Sequence, residues 1–241
     1  MAATKTALRK ARWAALIASG DARFPGTIGR IPNFVGAEAA ARQLFEAAAW
    51  KRAAVIKVNP DSPQRPVRHA ALKAGKCIYL PAPRLADACP FIVLDPRVIH
   101  PKSLWPASSI KGAYRLGRPV PLGAVPHLDL IVTGCVGVTR AGARLGKGGG
   151  YSDLEFAMLR DQGCVGPDTV VATTVHAVQI LEDGMIPIEE HDISLDLIAT
   201  PQALIQTGRT IPRPSGVLWE RLPEKKRAAI PALQALWDQR G

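Results

Sequence analysis

The sequence predicts an α/β domain in which a mostly parallel sheet lies between two layers of helices. Short apolar strands alternate with helical segments along the chain, as is typical of strand–helix–strand units. Residues 53–58 and 128–132 are continuous apolar runs rich in β-branched side chains, as expected of strands covered on both faces. No linker or internal repeat divides the 241 residues. We therefore expect one three-layer domain over residues 1–241.

The elements follow in chain order from periodicity and from turn residues. A basic helix is expected within residues 1–20, then a loop rich in Gly and Pro over 20–34, and an Ala-rich helix at about 36–50. Residues 81–126 are rich in Pro and are expected to form long loops over a cleft. The other predicted elements are strands at 53–58, 77–80, 91–94, 128–132, 169–175 and 193–199, and helices at about 64–74, 151–162 and 223–239.

The composition fits a globular protein with an anionic partner. Lys and Arg number 31 against 20 Asp and Glu, which gives a net charge of +11, and 47% of residues are hydrophobic. The basic residues are scattered, apart from the N-terminal helix and residues 225–227, so a solvated surface is favoured over a nucleic-acid face. Only 5% of residues are aromatic, too few for stacking platforms. Nucleic acid is therefore an unfavoured partner, and a monomer or homodimer is expected.

No targeting or membrane segment is predicted. No run approaches the roughly 18 apolar residues of a membrane span, and the apolar core at 14–18 is too short for a signal peptide. Residues 1–20 contain no acid, a property shared with mitochondrial transit peptides, and a cytoplasmic location is the expectation. The four cysteines form no CxxC pair, so reduced and mostly buried thiols are expected rather than a zinc site.

A glycine-rich turn between a buried strand and a helix is the most informative segment. It comprises Gly146, Lys147, Gly148, Gly149 and Gly150, and the helix begins near Tyr151. Glycines let main-chain N–H groups approach a ligand closely, and the helix N-terminus attracts anions. The spacing fits neither a Walker A loop nor the dinucleotide pattern GxGxxG. We interpret the turn as a phosphate cradle, in preference to a turn without ligand, with a fixed charge from Arg144 and a mobile one from Lys147.

Two acidic positions accompany this turn. Asp153 falls just inside the helix, where an acid either complements the helix dipole or binds Mg²⁺ beside a phosphate. Asp192 ends a second acidic cluster at 189–192, which lacks the HExxH spacing of a zinc site. Each acid alone is more typical of a cap or a surface charge. Together with the glycine loop they predict a magnesium site.

These segments resemble the 5-formyltetrahydrofolate cyclo-ligase family over about residues 28–220. Residues 146–153 are similar to the family's glycine-Tyr-Tyr-Asp loop, and residues 187–201 to its late signature. Residues 31–34, 57–61, 83–85 and 216–219 resemble a divergent cyclo-ligase-like branch, the methenyltetrahydrofolate synthetase domain-containing proteins. The resemblance implies a Rossmann-like fold related to sugar-phosphate isomerases and coenzyme A transferases.

The activity that the resemblance implies is an ATP- and Mg²⁺-dependent ring closure. ATP would phosphorylate the formyl oxygen of 5-formyltetrahydrofolate, and N10 would then attack the activated carbon to give 5,10-methenyltetrahydrofolate. The resemblance implies a catalytic role for Lys147 and Arg144, Mg²⁺ binding by Asp153 and Asp192, and contact with a folate-like substrate by Tyr151, Asp61 and Trp105. The residues that it implies for nucleotide binding are Lys5, Arg9, Gly146, Lys147, Gly148, Gly149, Gly150, Tyr151, Ser152 and Asp153.

Two departures from the family pattern keep other functions open. Ser152 replaces the second loop tyrosine, and the region after Asp61 lacks the family's folate-contacting glutamate. Another formyl- or amide-bearing substrate is therefore an alternative. A non-catalytic nucleotide- or RNA-binding protein on the same fold is a second. A third alternative is a sugar-phosphate isomerase or coenzyme A transferase, which needs a base beside the glycine loop. Glu155 is the only candidate there, and it is expected on the helix surface.

Overall fold

The computed structural model describes residues 4–240, and thirteen strands are assigned among them. In chain order they are β1 (Ala22–Arg23), β2 (Asn33–Phe34), β3 (Val55–Val58), β4 (Cys77–Pro81), β5 (Phe91–Leu94), β6 (Arg118–Val120), β7 (Leu130–Val132), β8 (Gly137–Thr139), β9 (Arg144–Leu145), β10 (Val170–Thr174), β11 (Ile180–Leu181), β12 (Leu197–Ala199) and β13 (Leu204–Gln206).

The same residues contain nine α-helices. They are α1 (Lys5–Ala18), α2 (Ala37–Phe45), α3 (Ala48–Arg52), α4 (Arg65–Lys73), α5 (Leu104–Ala107), α6 (Ile110–Leu116), α7 (Tyr151–Asp161), α8 (Glu224–Ala228) and α9 (Pro231–Asp238). Thr4 caps α1 by accepting a hydrogen bond from the Ala7 N–H. The predicted N-terminal helix is thus present from Lys5. Residues 1–3 of that prediction, and residue 241 of the predicted domain, lie outside the described residues.

Eight strands form the main sheet in the order β13-β12-β10-β7-β3-β4-β5-β6. The five central strands, β12 to β4, are parallel, with Ile56 of β3 paired to both Ile78 and Leu130. Each outer strand pairs antiparallel to its inner neighbour: β13 to β12, β5 to β4, and β6 to β5. This arrangement confirms the predicted mostly parallel sheet.

Helices cover both faces of this sheet. On one face, α7 and α9 bury side chains such as Met158 and Leu233 against Ile131 and Val171. On the other face, α2 to α6 pack against strand residues such as Ile56 and Leu130. The three-layer prediction is therefore confirmed, and each side of the sheet has its own apolar core.

Two predicted helices are wrong in their extent. The helix predicted at 36–50 is broken at Ala47, which is extended (φ −62°, ψ 137°), so that α2 and α3 are separate. The helix predicted at 223–239 is broken at Ile230, because a residue that precedes proline avoids the helical conformation. The segment 81–126 is more regular than predicted, since it contains β6, α5 and α6 in addition to β5, the strand predicted at 91–94.

A second sheet has three strands in the order β11-β8-β9. Two of them, β8 and β9, lie between the main sheet and the glycine loop along the chain. The chain leaves β7 at Val132 and forms the β8–β9 hairpin before it reaches Gly146. The sequence analysis predicted a buried strand at 128–132 before the glycine loop, but not the β8–β9 hairpin that lies between β7 and the loop. The hairpin is what carries Arg144 to the loop.

The remaining global predictions concern thiols and membranes. All four cysteines are free; Cys135 and Cys164 are buried, whereas Cys77 and Cys89 are partly exposed. Among the described residues, no helix has both the length and the apolar character to span a bilayer.

Candidate functional site

A cavity of about 560 Å³ opens at the carboxyl ends of the central strands. Residues 59–61, which follow β3, and Gly134, which follows β7, form part of its wall. From β3 the chain continues to β4 on one side and later returns to β7 on the other side. Such a switch point leaves a crevice where α/β sheets bind ligands.

The glycine loop forms one wall of this cavity. Gly148 (φ +106°) and Gly150 (φ +65°) adopt the left-handed region, which side chains other than glycine rarely occupy. Gly150 is the N-cap of α7, and no side chain caps that helix. Its first main-chain N–H groups are therefore available to an anion in the cavity.

Gly149 is required for a different reason. Its φ is not positive, but a Cβ atom there would lie 2.9 Å from the ring of Tyr151. The loop thus folds tightly onto the first side chain of α7, which itself lines the cavity.

Arg144 and Asp153 form a buried ion pair behind the loop. Arg144 Nη2 donates to Asp153 Oδ1 at 2.6 Å, Arg144 Nη1 donates to the Gly134 carbonyl at 3.1 Å, and the Ile193 N–H donates to Asp153 Oδ1 at 3.2 Å. Burial opposes both charges, but the pairing holds the pKa of Asp153 below its usual value and raises that of Arg144. Arg144 is therefore a fixed charge.

Asp192 also lines the cavity and is held by Lys5 of α1. Its Oδ2 accepts from Lys5 Nζ at 2.6 Å and from the Glu189 N–H at 2.8 Å. Within residues 4–240, the other carboxylate oxygen accepts no hydrogen bond and has His191 Nε2 at 3.8 Å. Asp153 likewise keeps one oxygen, Oδ2, that accepts no hydrogen bond from residues 4–240.

This donor set fits Mg²⁺ only when a phosphate completes it. No group of three or more His, Cys, Asp or Glu side chains within residues 4–240 could hold a metal alone. One or two carboxylates together with phosphate oxygens are the usual protein environment of Mg²⁺. Asp153 and Asp192 can supply two carboxylate oxygens to the same cavity.

Helix α1 crosses the glycine loop. Arg9 Nε donates to the Gly146 carbonyl at 2.7 Å, and its guanidinium group lies against Gly148. Burial, opposed by the charge of Asp192, lowers the pKa of Arg9. The structure therefore places both Lys5 and Arg9 in the cavity wall, where the resemblance expects the nucleotide phosphates.

Lys147, Ser152 and Asp61 also line the cavity. Lys147 is half-exposed, and its closest carboxylate oxygen is Asp61 Oδ1 at 3.8 Å, so its ammonium group is nearly free. Ser152 Oγ accepts from Asn59 Nδ2 at 2.9 Å, which ties α7 to the end of β3.

Trp105 is the one predicted site residue that lies elsewhere. It belongs to α5, half-exposed, with the Arg65 guanidinium 4.0 Å from its ring centroid and His69 at its edge. It does not line the cavity. We therefore do not propose a substrate contact for Trp105 at this site.

Three charged side chains at or beside the site were missed or misplaced by the sequence analysis. Glu155, expected on the helix surface, is buried, lines the cavity and pairs with Lys57. Lys57 stands within an apolar strand run, and that isolated lysine was the available signal. Lys226 of α8 donates to the Gly149 carbonyl at 3.0 Å and lies over the Tyr151 ring. Nothing in the local sequence connects residue 226 to the loop.

Comparison with known proteins matches this chain to one family model. Residues 2–201 match the model of the 5-formyltetrahydrofolate cyclo-ligase family. A mouse methenyltetrahydrofolate synthase domain-containing protein is 36% identical over 98% of this chain, and the zebrafish protein of that name is 36% identical over 97%. These alignments cover 64% and 61% of the two relatives, so the chain spans less than two thirds of their length.

A solved structure shows the same fold. The NMR structure of 5,10-methenyltetrahydrofolate synthetase from Aquifex aeolicus superposes with a TM-score of 0.53 and 18% identity, covering 87% of this chain and 96% of that one. At this identity the likeness concerns the fold.

Proposed function

The chain belongs to the 5-formyltetrahydrofolate cyclo-ligase family, and on that premise we propose that it converts 5-formyltetrahydrofolate to 5,10-methenyltetrahydrofolate with ATP and Mg²⁺. The observation that carries the proposal is one cavity lined by the glycine loop, by the cations of α1 and by two aspartates. When bound, the magnesium nucleotide would supply the phosphoryl group that makes the formyl oxygen a leaving group.

The glycine loop and the basic side chains around it would bind the phosphates. The first N–H groups of α7 have no side-chain cap among residues 4–240, and the ammonium group of Lys147 has only a long contact, 3.8 Å, with Asp61. Arg9 already lies against the loop, so it can contact a phosphate without a large movement. Phosphoryl transfer needs this positioning and charge neutralisation rather than a covalent protein nucleophile.

Asp153 and Asp192 would hold the Mg²⁺ ion through their free oxygens. Arg144 fixes Asp153 in a single orientation. Lys5 neutralises Asp192 at 2.6 Å, and its ammonium group can turn to a phosphate oxygen when that carboxylate binds the metal.

The substrate would occupy the part of the cavity bounded by Tyr151, Asp61 and Asn59. There the Tyr151 ring provides an apolar surface, and the polar groups after β3 orient the ring that carries the formyl group. Enclosure between the two walls brings the attacking nitrogen and the formyl carbon together.

The test is a direct assay of the purified chain with 5-formyltetrahydrofolate, ATP and Mg²⁺. We expect an absorbance band of the methenyl product near the ultraviolet edge of the visible range, dependent on both ATP and Mg²⁺. Calorimetric binding of magnesium nucleotide without product would point to another formyl- or amide-bearing substrate. Absence of nucleotide binding would contradict the proposal.

A further inference from the structure

A second buried ion pair lies in the cavity wall, separate from Arg144 and Asp153. Lys57 Nζ is 2.5 Å from Glu155 Oε2, and the two side chains are 2% and 7% exposed. Lys57 belongs to β3, which has a strand on each side, and Glu155 belongs to α7. Of the two, Glu155 lines the cavity.

Stability does not account for this pair. Removing two charges from water costs more than a buried pair usually returns, and apolar side chains of similar size commonly serve the fold as well. The residues paired with Lys57 on the two neighbouring strands, Tyr79 and Ile131, belong to the apolar core on that face of the sheet, so an apolar residue at position 57 suits the sheet. The pair therefore calls for a functional explanation.

One oxygen of Glu155 remains open to a ligand. Lys57 occupies Oε2, whereas Oε1 accepts no hydrogen bond from any residue in 4–240. The same ammonium group donates to Asn59 Oδ1 at 2.6 Å, and Asn59 Nδ2 donates to Ser152. This network holds the carboxylate rigidly, so that its free oxygen is a fixed acceptor in the cavity wall.

We propose that Glu155, positioned by Lys57, determines substrate specificity by accepting a hydrogen bond from an amino group on the substrate's ring. The inference rests on the proposed function and narrows it, since the ring of the substrate must carry an amino group. Since Oε1 has no donor among residues 4–240, a ligand that covers this oxygen without donating a hydrogen bond to it is disfavoured. The substrate class is therefore a formyl- or amide-bearing heterocycle with an amino-substituted ring.

The experiment uses two ring fragments that need neither ATP nor a formyl group. Pterin and its 2-desamino analogue, pteridin-4-one, are titrated against the chain by ligand-observed NMR. The wild type is expected to bind pterin at least about tenfold more tightly, since a hydrogen bond to a charged group is lost with the analogue. The double variant Lys57→Met/Glu155→Leu leaves no unpaired charge. It should fold with an unchanged or higher thermal midpoint and bind the two fragments equally.

A matched control is Glu46→Leu, which removes the exposed partner of Lys51 at 3.0 Å and should keep the wild-type preference. The inference is overturned if the wild type binds neither fragment, binds both equally, or if the preference survives in the double variant. The assay with 5-formyltetrahydrofolate tests the proposed function separately. A Glu155-dependent preference without turnover refutes only the reaction, and turnover without that preference refutes only the role of Glu155.

Discussion

Lys147 is the basic residue of the glycine loop that can be changed without disturbing the fold. Its side chain is half-exposed, and its contact with Asp61 is 3.8 Å long. Asp153 is a poorer choice, because its loss would leave Arg144 buried and unpaired at a cost of about 3–5 kcal/mol. A loss of binding in that variant would not separate the site from the fold.

We predict that Lys147→Ala weakens magnesium-ATP binding by roughly tenfold to a hundredfold, because a charged hydrogen bond to phosphate contributes about 1.5–3 kcal/mol. Titration calorimetry measures the affinity, and the thermal midpoint should change by less than about 2 °C, as for most exposed substitutions. Lys111→Ala, an exposed change on α6, is the control. Equal affinities in the two variants would exclude Lys147 from the phosphate site.

Lys57 and Glu155 allow a prediction of pH dependence. Burial, opposed by the Lys57 ammonium, already raises the pKa of Glu155. In Lys57→Met the opposing charge is gone, so the pKa of Glu155 in the folded state rises further above its unfolded value near 4.3. The folded variant then binds more protons than the unfolded chain, and its stability falls as the pH rises.

We therefore expect the stability lost in Lys57→Met to be larger at pH 8 than at pH 5, reaching about 3–5 kcal/mol at the higher pH. Urea unfolding at the two pH values measures the difference. The double variant Lys57→Met/Glu155→Leu removes both titrating groups and should show a smaller pH dependence. A loss in Lys57→Met that is independent of pH would mean that Glu155 does not carry the effect.

The same pair marks a limit of sequence analysis at the residue scale. A glutamate within a helix is usually solvated, and nothing near Glu155 in the sequence indicates otherwise. Its partner is 98 residues away, so only the three-dimensional arrangement brings the two charges together. By contrast, the glycine loop with Asp153 is one local segment, and its position in the cavity wall followed from local chemistry.

At the scale of elements, the glycine loop is held from two directions. Arg9 of α1 bonds to the Gly146 carbonyl, and Lys226 of α8 bonds to the Gly149 carbonyl. Burial, opposed by the charge of Asp153, lowers the pKa of Lys226. These contacts fix the direction in which the loop's N–H groups point.

We predict that Lys226→Met loosens this loop. Amide hydrogen exchange over residues 146–150 should become faster, and magnesium-ATP should bind several-fold more weakly, because the loop must then be ordered on binding. Lys225→Met is the matched control, since that neighbouring side chain is exposed. If the two variants exchange at the same rate, α8 does not support the loop.

The elements that sequence predicted well are those with strong local patterns. The parallel strands β3 and β7 lie in the apolar runs 53–58 and 128–132, and α7 begins at the predicted Tyr151. The break before Pro231 shows a local backbone preference overriding an apparently continuous helix. The antiparallel outer strands and the β8–β9 hairpin depend on long-range pairing, which periodicity does not reveal.

At the scale of the molecule, the cavity differs from the rest of the surface in its balance of charge. The whole chain carries +11, but the cavity lining has five basic side chains, Lys5, Arg9, Arg84, Arg144 and Lys147, and five acidic ones, Asp61, Asp153, Glu155, Glu189 and Asp192. Such a lining suits a magnesium nucleotide, whose metal binds carboxylates and whose phosphates bind cations, whereas an extended nucleic acid requires a longer continuous basic track. This distribution favours a nucleotide over RNA as the anionic partner.

The two partners can be separated by their effects on thermal stability. At one hundred times its Kd, a ligand that binds only the folded state stabilises it by about 2.7 kcal/mol. For a chain of 241 residues this corresponds to a rise in Tm of roughly 5–11 °C.

We predict that magnesium-ATP raises Tm by this amount. The rise should persist at 200 mM salt, because the site is partly enclosed and screening is weaker there. A twenty-nucleotide RNA should raise Tm little at the same salt, since binding through many phosphates falls by about 10³–10⁵ between 50 and 200 mM. A shift with RNA that exceeds the nucleotide's at both salt concentrations would instead favour a nucleic-acid-binding protein on this fold.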